Sequence, residues 1–132
     1  GFVTVGSAFL IGITTPVICF FFVSYVKGRL GYDDSLDAFG CHGVGGVWGA
    51  LMTGVLATKS VNDAGADGWL YGNAAQMIPQ LTGIVTGIVL AVVMTAVIIK
   101  GLGLFMQVRA TDAEEAQGLD LIDHGERAYN KM

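Results

Sequence analysis

His42 is the residue whose type and position most clearly indicate chemistry. It is the one histidine or charged residue in an apolar stretch from Ala38 to Thr58, and helical rise puts it about 7 Å past the start of that stretch. Ionisable groups at such depth in a membrane usually face a bundle interior or a cavity and mark a substrate or proton path. Because neutral imidazole offers one hydrogen-bond donor and one acceptor, it can pass on a small solute or relay a proton without a fixed charge.

Two interpretations of His42 follow from the residues alone. The first is this relay or conduction role, and the second is a structural histidine bonded to a backbone carbonyl of a neighbouring helix. A metal site is disfavoured because the adjacent Cys41 points in a different direction on a helix and no other ligand is near in sequence. We expect no metal and no cofactor.

Several other functional classes are excluded by the sequence. The run Gly43-Val44-Gly45-Gly46 does not fit the phosphate-binding pattern GxGxxG, because its last position would be Trp48. The net charge is −4 and there is no basic patch, which argues against a nucleic-acid binder. No nucleophile, carboxylate pair or metal set suggests an enzyme. Both cysteines, Cys19 and Cys41, lie in apolar stretches and are interpreted as small buried hydrophobes.

The element that positions His42 is one of three apolar stretches. Only 14% of the 132 residues are charged, against about 25% in an ordinary soluble domain. No charged residue occurs in 1–26, 38–58 or 68–99, and each stretch exceeds the roughly 20 residues that cross a bilayer. The sequence therefore predicts an all-α polytopic membrane protein. We place its spans at about 2–26, 38–58 and 74–106, in a transmembrane region 1–108, followed by a tail at 109–132.

Glycines indicate how the second and third spans pack. Small residues let helices approach closely in a membrane, and two GxxxG pairs occur, Gly45 with Gly49 and Gly83 with Gly87. The predicted packing positions are Gly43, Gly45, Gly46, Gly49, Gly83 and Gly87. Pro16 predicts a kink in the first span. Asp37, which directly precedes the second span, is predicted to cap its amino end.

Basic residues near the span ends indicate orientation. Lys27 and Arg29 follow the first span, and Lys100 and Arg109 lie at the end of the third, whereas the loop between spans two and three has only Lys59. Cytoplasmic loops carry an excess of lysine and arginine. We therefore expect the first loop and the tail to be cytoplasmic.

Two runs of residues resemble one known family. The run Asp33 to Ala57, DDSLDAFGCHGVGGVWGALMTGVLA, resembles the D-x-x-D-x-F-x-x-H-G-x-G-G segment that opens the tenth helix of the ammonium transporter (Amt/Mep/Rh) family. The run Gly118 to Tyr129, GLDLIDHGERAY, resembles the cytoplasmic tail of Amt proteins, in a prokaryotic style. The resemblance covers essentially the whole chain, as the last three of eleven helices plus the tail. We therefore expect the chain to be the carboxy-terminal part of a longer protein.

The resemblance implies a function and a set of pore residues. Amt proteins are homotrimers of the cell membrane with one hydrophobic pore per subunit, and they conduct ammonium or ammonia past two stacked histidines. His42 matches the second of these histidines, and the first belongs to a helix that precedes this chain. Asp37, with Ala38 and Phe39 nearby, is expected to cap the helix or to line the inner pore mouth.

For the tail, the resemblance implies a regulatory element that packs under the cytoplasmic face and can contact a PII-type regulator in nitrogen regulation. The residues carried over are Gly118, Asp120, His124, Gly125, Glu126 and Tyr129. Plant members carry a phosphorylatable threonine where this chain has Ile122, so that switch is not expected here. The residues alone also allow a disordered acidic terminus.

Two further functions remain alternatives to transport. One is an ammonium sensor that signals through the tail, and the other is a small structural membrane subunit. The absence of a fused domain after Tyr129 favours transport over sensing. The dependence of His42 on a partner histidine outside the chain disfavours the structural subunit.

Overall fold

The computed structural model describes residues 1–127 and 129 of the chain. The predicted all-α membrane fold is confirmed, because three helices are long and apolar enough to cross a membrane. We label them α1 (Val5–Leu30), α2 (Phe39–Leu56) and α3 (Met77–Leu102), the last preceded by a 3₁₀ turn at Ala74–Gln76. Two short helices follow, α4 (Asp112–Gln117) and α5 (Leu119–His124). Residues 128 and 130–132 of the predicted tail lie outside the described residues.

Helix α1 is capped at both ends by local chemistry. The Thr4 hydroxyl accepts from the backbone N–H of Ser7 at 3.2 Å, which satisfies an amide that has no partner within the helix. At the other end Gly31 has φ +64°, a left-handed conformation that ends many helices. Between these ends α1 contains Pro16 and a π-helical turn at Phe22–Val26. The kink predicted at Pro16 stays a prediction.

Helices α1 and α2 form an antiparallel hairpin. Residues just before α1 meet residues just after α2, where Val3 and Ala57 form an antiparallel bridge and Thr58 donates to the Phe2 carbonyl at 2.9 Å. Within the hairpin the Trp48 indole donates to the Thr14 hydroxyl at 3.0 Å. Hydrogen bonds between membrane helices stabilise their packing because lipid offers the polar groups no alternative partner.

Glycines of α2 allow the close approach of α1. A Cβ at Gly40 would lie 2.6 Å from the Val23 Cγ2 atom, and one at Gly45 would lie 3.1 Å from the Cys19 sulfur. Gly43 instead faces the Phe39 ring of its own helix, at 2.9 Å. The predicted packing positions Gly46 and Gly49 face open space in this chain, so contacts there stay predictions.

The first turns of α3 pack against the end of α2. The Gln80 side-chain amide donates to the Ala50 carbonyl at 2.8 Å, and a Cβ at Gly54 would lie 2.7 Å from the Gln80 Cγ atom. Gly83 and Gly87, further along α3, have nothing within 4 Å, so their packing role also stays a prediction. Helix α3 ends at Leu102 and continues only as turns, whereas the third span was placed as far as 106.

The chain divides into two compact units, Gly1–Ile88 and Val89–Met132. In the second unit α4 begins with a capping box, in which the Thr111 hydroxyl accepts from the Glu114 N–H and the Glu114 carboxylate accepts from the Thr111 N–H. Gly118 lies between α4 and α5 with φ +104°, a conformation that side-chain-bearing residues rarely adopt. The tail is therefore folded locally, at least through α5.

Candidate functional site

His42 lies in the first turn of α2, and that turn is π-helical. The π-helical segment runs over Phe39–Gly43 and continues directly into regular helix from Val44. Such wide turns are rare and occur often at functional sites. The imidazole is exposed and makes no hydrogen bond to any described residue of this chain. Nothing within the described part of the chain therefore supports the structural alternative, a histidine bonded to a neighbouring backbone carbonyl.

Phe39 is held at the start of the same turn by two contacts. Its ring packs against Gly43, where any side chain would collide with it, and meets the Tyr32 ring edge-on at a centroid distance of 5.6 Å. Ala38, immediately before it, is exposed. The structure therefore brings Asp37, Ala38 and Phe39 together with His42 in one continuous stretch at the amino end of α2.

The prediction that Asp37 caps α2 is wrong, because Asp34 occupies that role. The two carboxylate oxygens of Asp34 accept from the backbone N–H groups of Ala38 at 2.8 Å and Phe39 at 2.9 Å. Asp37 has φ +55°, and among the described residues it is the one non-glycine with a left-handed backbone. Its carboxylate is directed to the Lys27 ammonium, 2.6 Å away, instead of to the helix amides.

Cys19 links α1 to the turn that carries His42. The buried Cys19 thiol donates to the Cys41 carbonyl at 3.6 Å. The same sulfur packs against Gly45, where a Cβ would lie 3.1 Å from it. The interpretation of Cys41 as a buried hydrophobe is wrong in this chain, because its side chain is exposed. Helical rotation between neighbouring positions turns the two side chains Cys41 and His42 to different directions, while the Cys41 carbonyl stays in the hairpin.

An apolar groove of about 430 Å³ runs beside this turn. Its walls are almost entirely carbon, and they include Ile18, Phe22, Phe39, Gly43, Val47, Trp48 and Ile88. His42 is not part of this groove. Within the described residues no group of three or more histidine, cysteine or carboxylate side chains could hold a metal ion.

Sequence reasoning missed Lys27, Asp34 and Tyr32 as neighbours of the site. From the sequence alone, Lys27 serves only as an orientation signal, and Asp34 only as part of the run that resembles the family. One signal in the sequence could have found Asp34: it is an aspartate only five residues before Phe39, the first residue of α2, and aspartate is a preferred residue for capping a helix. The Lys27 contact crosses the connection and has no local signal.

The residues predicted for the tail occupy the short helix α5 and its ends. Gly118 precedes α5, Asp120 and His124 lie within it, and Gly125 ends it with φ +68°. The Glu126 N–H donates to the Asp120 carbonyl at 3.3 Å, and Tyr129 is exposed. The chain thus places these residues in and beside one short helix and leaves the Tyr129 ring accessible.

Comparison with known proteins decides the family. The family model described as Ammonium Transporter Family matches residues 1–129. The chain belongs to the ammonium transporter family. This confirms the resemblance that the two sequence runs around His42 and in the tail indicated.

Individual members of the ammonium transporter family align along nearly the whole chain. It is 50% identical to an ammonium transporter of Bacillus subtilis, over 98% of this chain and 32% of that protein. An ammonium transporter of Aquifex aeolicus is 42% identical over 98% of this chain and 30% of its own length. The ammonium transporter Amt1 of Archaeoglobus fulgidus is 35% identical over 98% and 32%, respectively. The chain therefore spans about a third of the length of these relatives.

Proposed function

We propose that the full-length protein containing this chain conducts ammonium or ammonia across a membrane, and that His42 contributes to the conduction path. The observation that carries the proposal is a single imidazole in the wide first turn of an apolar, membrane-spanning helix, in a chain of the ammonium transporter family. The similar proteins of Bacillus subtilis and Aquifex aeolicus carry the name ammonium transporter, which supports the substrate.

Physical chemistry explains why a histidine suits this task. Moving an ion from water into an apolar channel is costly unless it is paired or its charge is removed. Neutral ammonia avoids most of that cost if its proton travels separately through hydrogen-bonded groups. The imidazole of His42 has both a donor and an acceptor, so together with a second histidine outside this chain it would contact ammonia and relay the proton.

The proposal is tested by substituting His42 in the full-length protein. We expect His42→Ala to lower the initial rate of ammonium uptake per copy by about 10²-fold, the lower end of what a positioned proton-transfer group contributes. Cys41→Ala is the matched control, because it removes the neighbouring side chain of the same turn and should leave uptake unchanged. Uptake by His42→Ala at the parental rate and selectivity would contradict the assignment.

We infer a homotrimer in the cell membrane with the tail in the cytoplasm. The basic residues Lys27, Arg29, Lys100 and Arg109 support this orientation, since a chain that crosses a membrane three times has its first connection and its tail on the same side. Around α5 the tail offers an exposed, locally folded surface to a PII-type regulator. Asp37, Ala38 and Phe39 would then face the cytoplasmic end of the pore.

A further inference from the structure

We propose that Lys27 is a positioning residue for His42, which it holds in place through Asp37. The inference rests on the proposed function and assigns a role to a side chain that neither the fold nor the conduction step uses directly. Its basis is a set of contacts that join the last turn of α1 to the first turn of α2.

The Lys27 ammonium makes two short contacts to the connection between the helices. It donates to the Asp37 carboxylate at 2.6 Å and to the Asp34 backbone carbonyl at 2.6 Å. Both side chains of the ion pair are only partly exposed, at 28% for Lys27 and 37% for Asp37. One cation therefore fixes both ends of the segment that leads into α2.

Asp37 needs an external contact because its backbone is strained. Its φ of +55° lies in the left-handed region, which costs a residue with a side chain free energy unless the surroundings hold it there. Aspartate tolerates this region better than most residues. The ion pair with Lys27 is the contact that favours this conformation over an ordinary one.

The conformation of Asp37 sets where α2 begins. With Asp37 turned left-handed, the Asp34 carboxylate reaches both the Ala38 and the Phe39 amides. The Asp37 carbonyl in turn accepts from the Cys41 N–H at 2.9 Å, inside the π-helical turn. His42 is the next residue, so a shift in Asp37 changes the register of the turn that orients the imidazole.

The local half of the proposal is tested by hydrogen exchange on the full-length protein in lipid nanodiscs. We expect Lys27→Met to speed exchange of the 38–41 amides by about three- to fivefold, the range that a partly exposed ion pair supports. Lys27→Arg should restore slow exchange because it keeps the charge. Arg29→Met is the matched control, since it removes a cation two residues away on the same helix and should leave the 38–41 amides unchanged.

The functional half is tested by uptake in the same variants. Lys27→Met should lower the maximal uptake rate per copy several-fold with KM unchanged, and Lys27→Arg should restore it. In an Asp37→Gly background the left-handed turn is unstrained, because glycine has no side chain. Adding Lys27→Met to that background should therefore lower the maximal uptake rate less than it does in the parental protein. If Lys27→Met alone assembles poorly, the comparison of Asp37→Gly with the Asp37→Gly, Lys27→Met double variant still tests the positioning role.

The outcomes separate this proposal from the proposed function. Unchanged exchange in Lys27→Met, or equal effects of Lys27→Met and Arg29→Met, would overturn the positioning role. Faster exchange with parental uptake would overturn it as well, because Lys27 would then be only structural. If the parental protein itself moves no ammonium, the proposed function fails, while the exchange data still decide whether Lys27 fixes the start of α2.

Discussion

At the scale of single residues, Tyr32 combines a well-packed ring with a hydroxyl that has no hydrogen-bond partner among the described residues. Its ring meets Phe39 edge-on at 5.6 Å with an interplanar angle of 86°, a favourable aromatic geometry. Among the described residues its hydroxyl is the buried side-chain polar atom without a hydrogen-bond partner. An unpaired buried hydroxyl costs free energy that a carbon–hydrogen group of the same shape does not.

We therefore expect Tyr32→Phe to leave the unfolding free energy of the full-length protein unchanged or to raise it by about 1 kcal/mol. Tyr32→Ala should lower it by roughly 2 kcal/mol, because it also removes the ring from Phe39. Thermal unfolding in detergent measures both. A clear loss of stability in Tyr32→Phe would mean that the hydroxyl is bonded by a part of the protein beyond this chain.

Glu114 is a second residue whose environment gives a measurable prediction. Hydrogen bonds from the Thr111 backbone N–H and hydroxyl, and then one from Gln107, lower the pKa of Glu114 from its usual 4.5. Since the folded pKa is depressed, the capping box stabilises α4 fully above the usual pKa and is lost as pH falls through the lowered value.

The Thr111 amide signal in an NMR titration of the protein should therefore move with a midpoint below pH 4.5. In Glu114→Gln the amide should show no such transition, because the glutamine side chain does not titrate. A midpoint at or above the usual value in the parental protein would contradict the capping geometry.

At the scale of elements, α1 and α2 meet through two π-helical turns, Phe22–Val26 and Phe39–Gly43. Gly40 of the second turn is buried, and a Cβ there would lie 2.6 Å from the Cγ2 atom of Val23 in the first turn, far inside van der Waals contact. Packed interiors transmit such overlaps as strain. The spacing of α1 and α2 just before His42 is therefore set by the missing side chain at Gly40.

Gly40→Ala should destabilise the full-length protein by about 1–3 kcal/mol, the usual cost of overpacking. Adding Val23→Ala removes the methyl group that the new Cβ would touch, so the double variant should lose less than the sum of the two single variants. Chemical denaturation of all four proteins gives the coupling free energy. Additive losses would show that Val23 does not limit the approach of the helices.

At the scale of the whole molecule, most apolar surface is exposed. Within the described residues the buried apolar side chains are Cys19, Leu56 and Ala57, while every residue of α3 from Val85 to Lys100 is exposed. A soluble protein rarely leaves such continuous apolar surface in water. An apolar surface of this kind suits contact with lipid or with other membrane helices. The chain spans about a third of the length of its relatives.

The orientation proposed from charge makes a prediction at this scale. A fluorescent reporter that matures only in the cytoplasm should be active when it is fused after residue 132, and inactive when it is inserted in the loop after Asn62. The physical reason is the excess of basic residues flanking the first connection and the tail. The reverse pattern of activity would refute the orientation and with it the cytoplasmic position of Asp37.

The sequence by itself was sufficient for the features that depend on local composition. Uninterrupted apolar stretches determine three membrane helices, and a single imidazole in one of them identifies His42 as the candidate for chemistry. The sequence also determined the family, since the residues around His42 and those from Gly118 to Tyr129 resemble one family in the expected order.

Only the tertiary structure decided how the site is held. Whether Asp34 or Asp37 caps α2 depends on the left-handed backbone of Asp37, and the Lys27 ion pair that favours it crosses a turn between two helices. The approach of α1 to the π-helical turn around His42 depends in the same way on the absence of a side chain at Gly40, where a Cβ would collide with Val23. Such contacts join residues from different elements, so their free energies are set by the packed arrangement and leave no periodic pattern in the sequence.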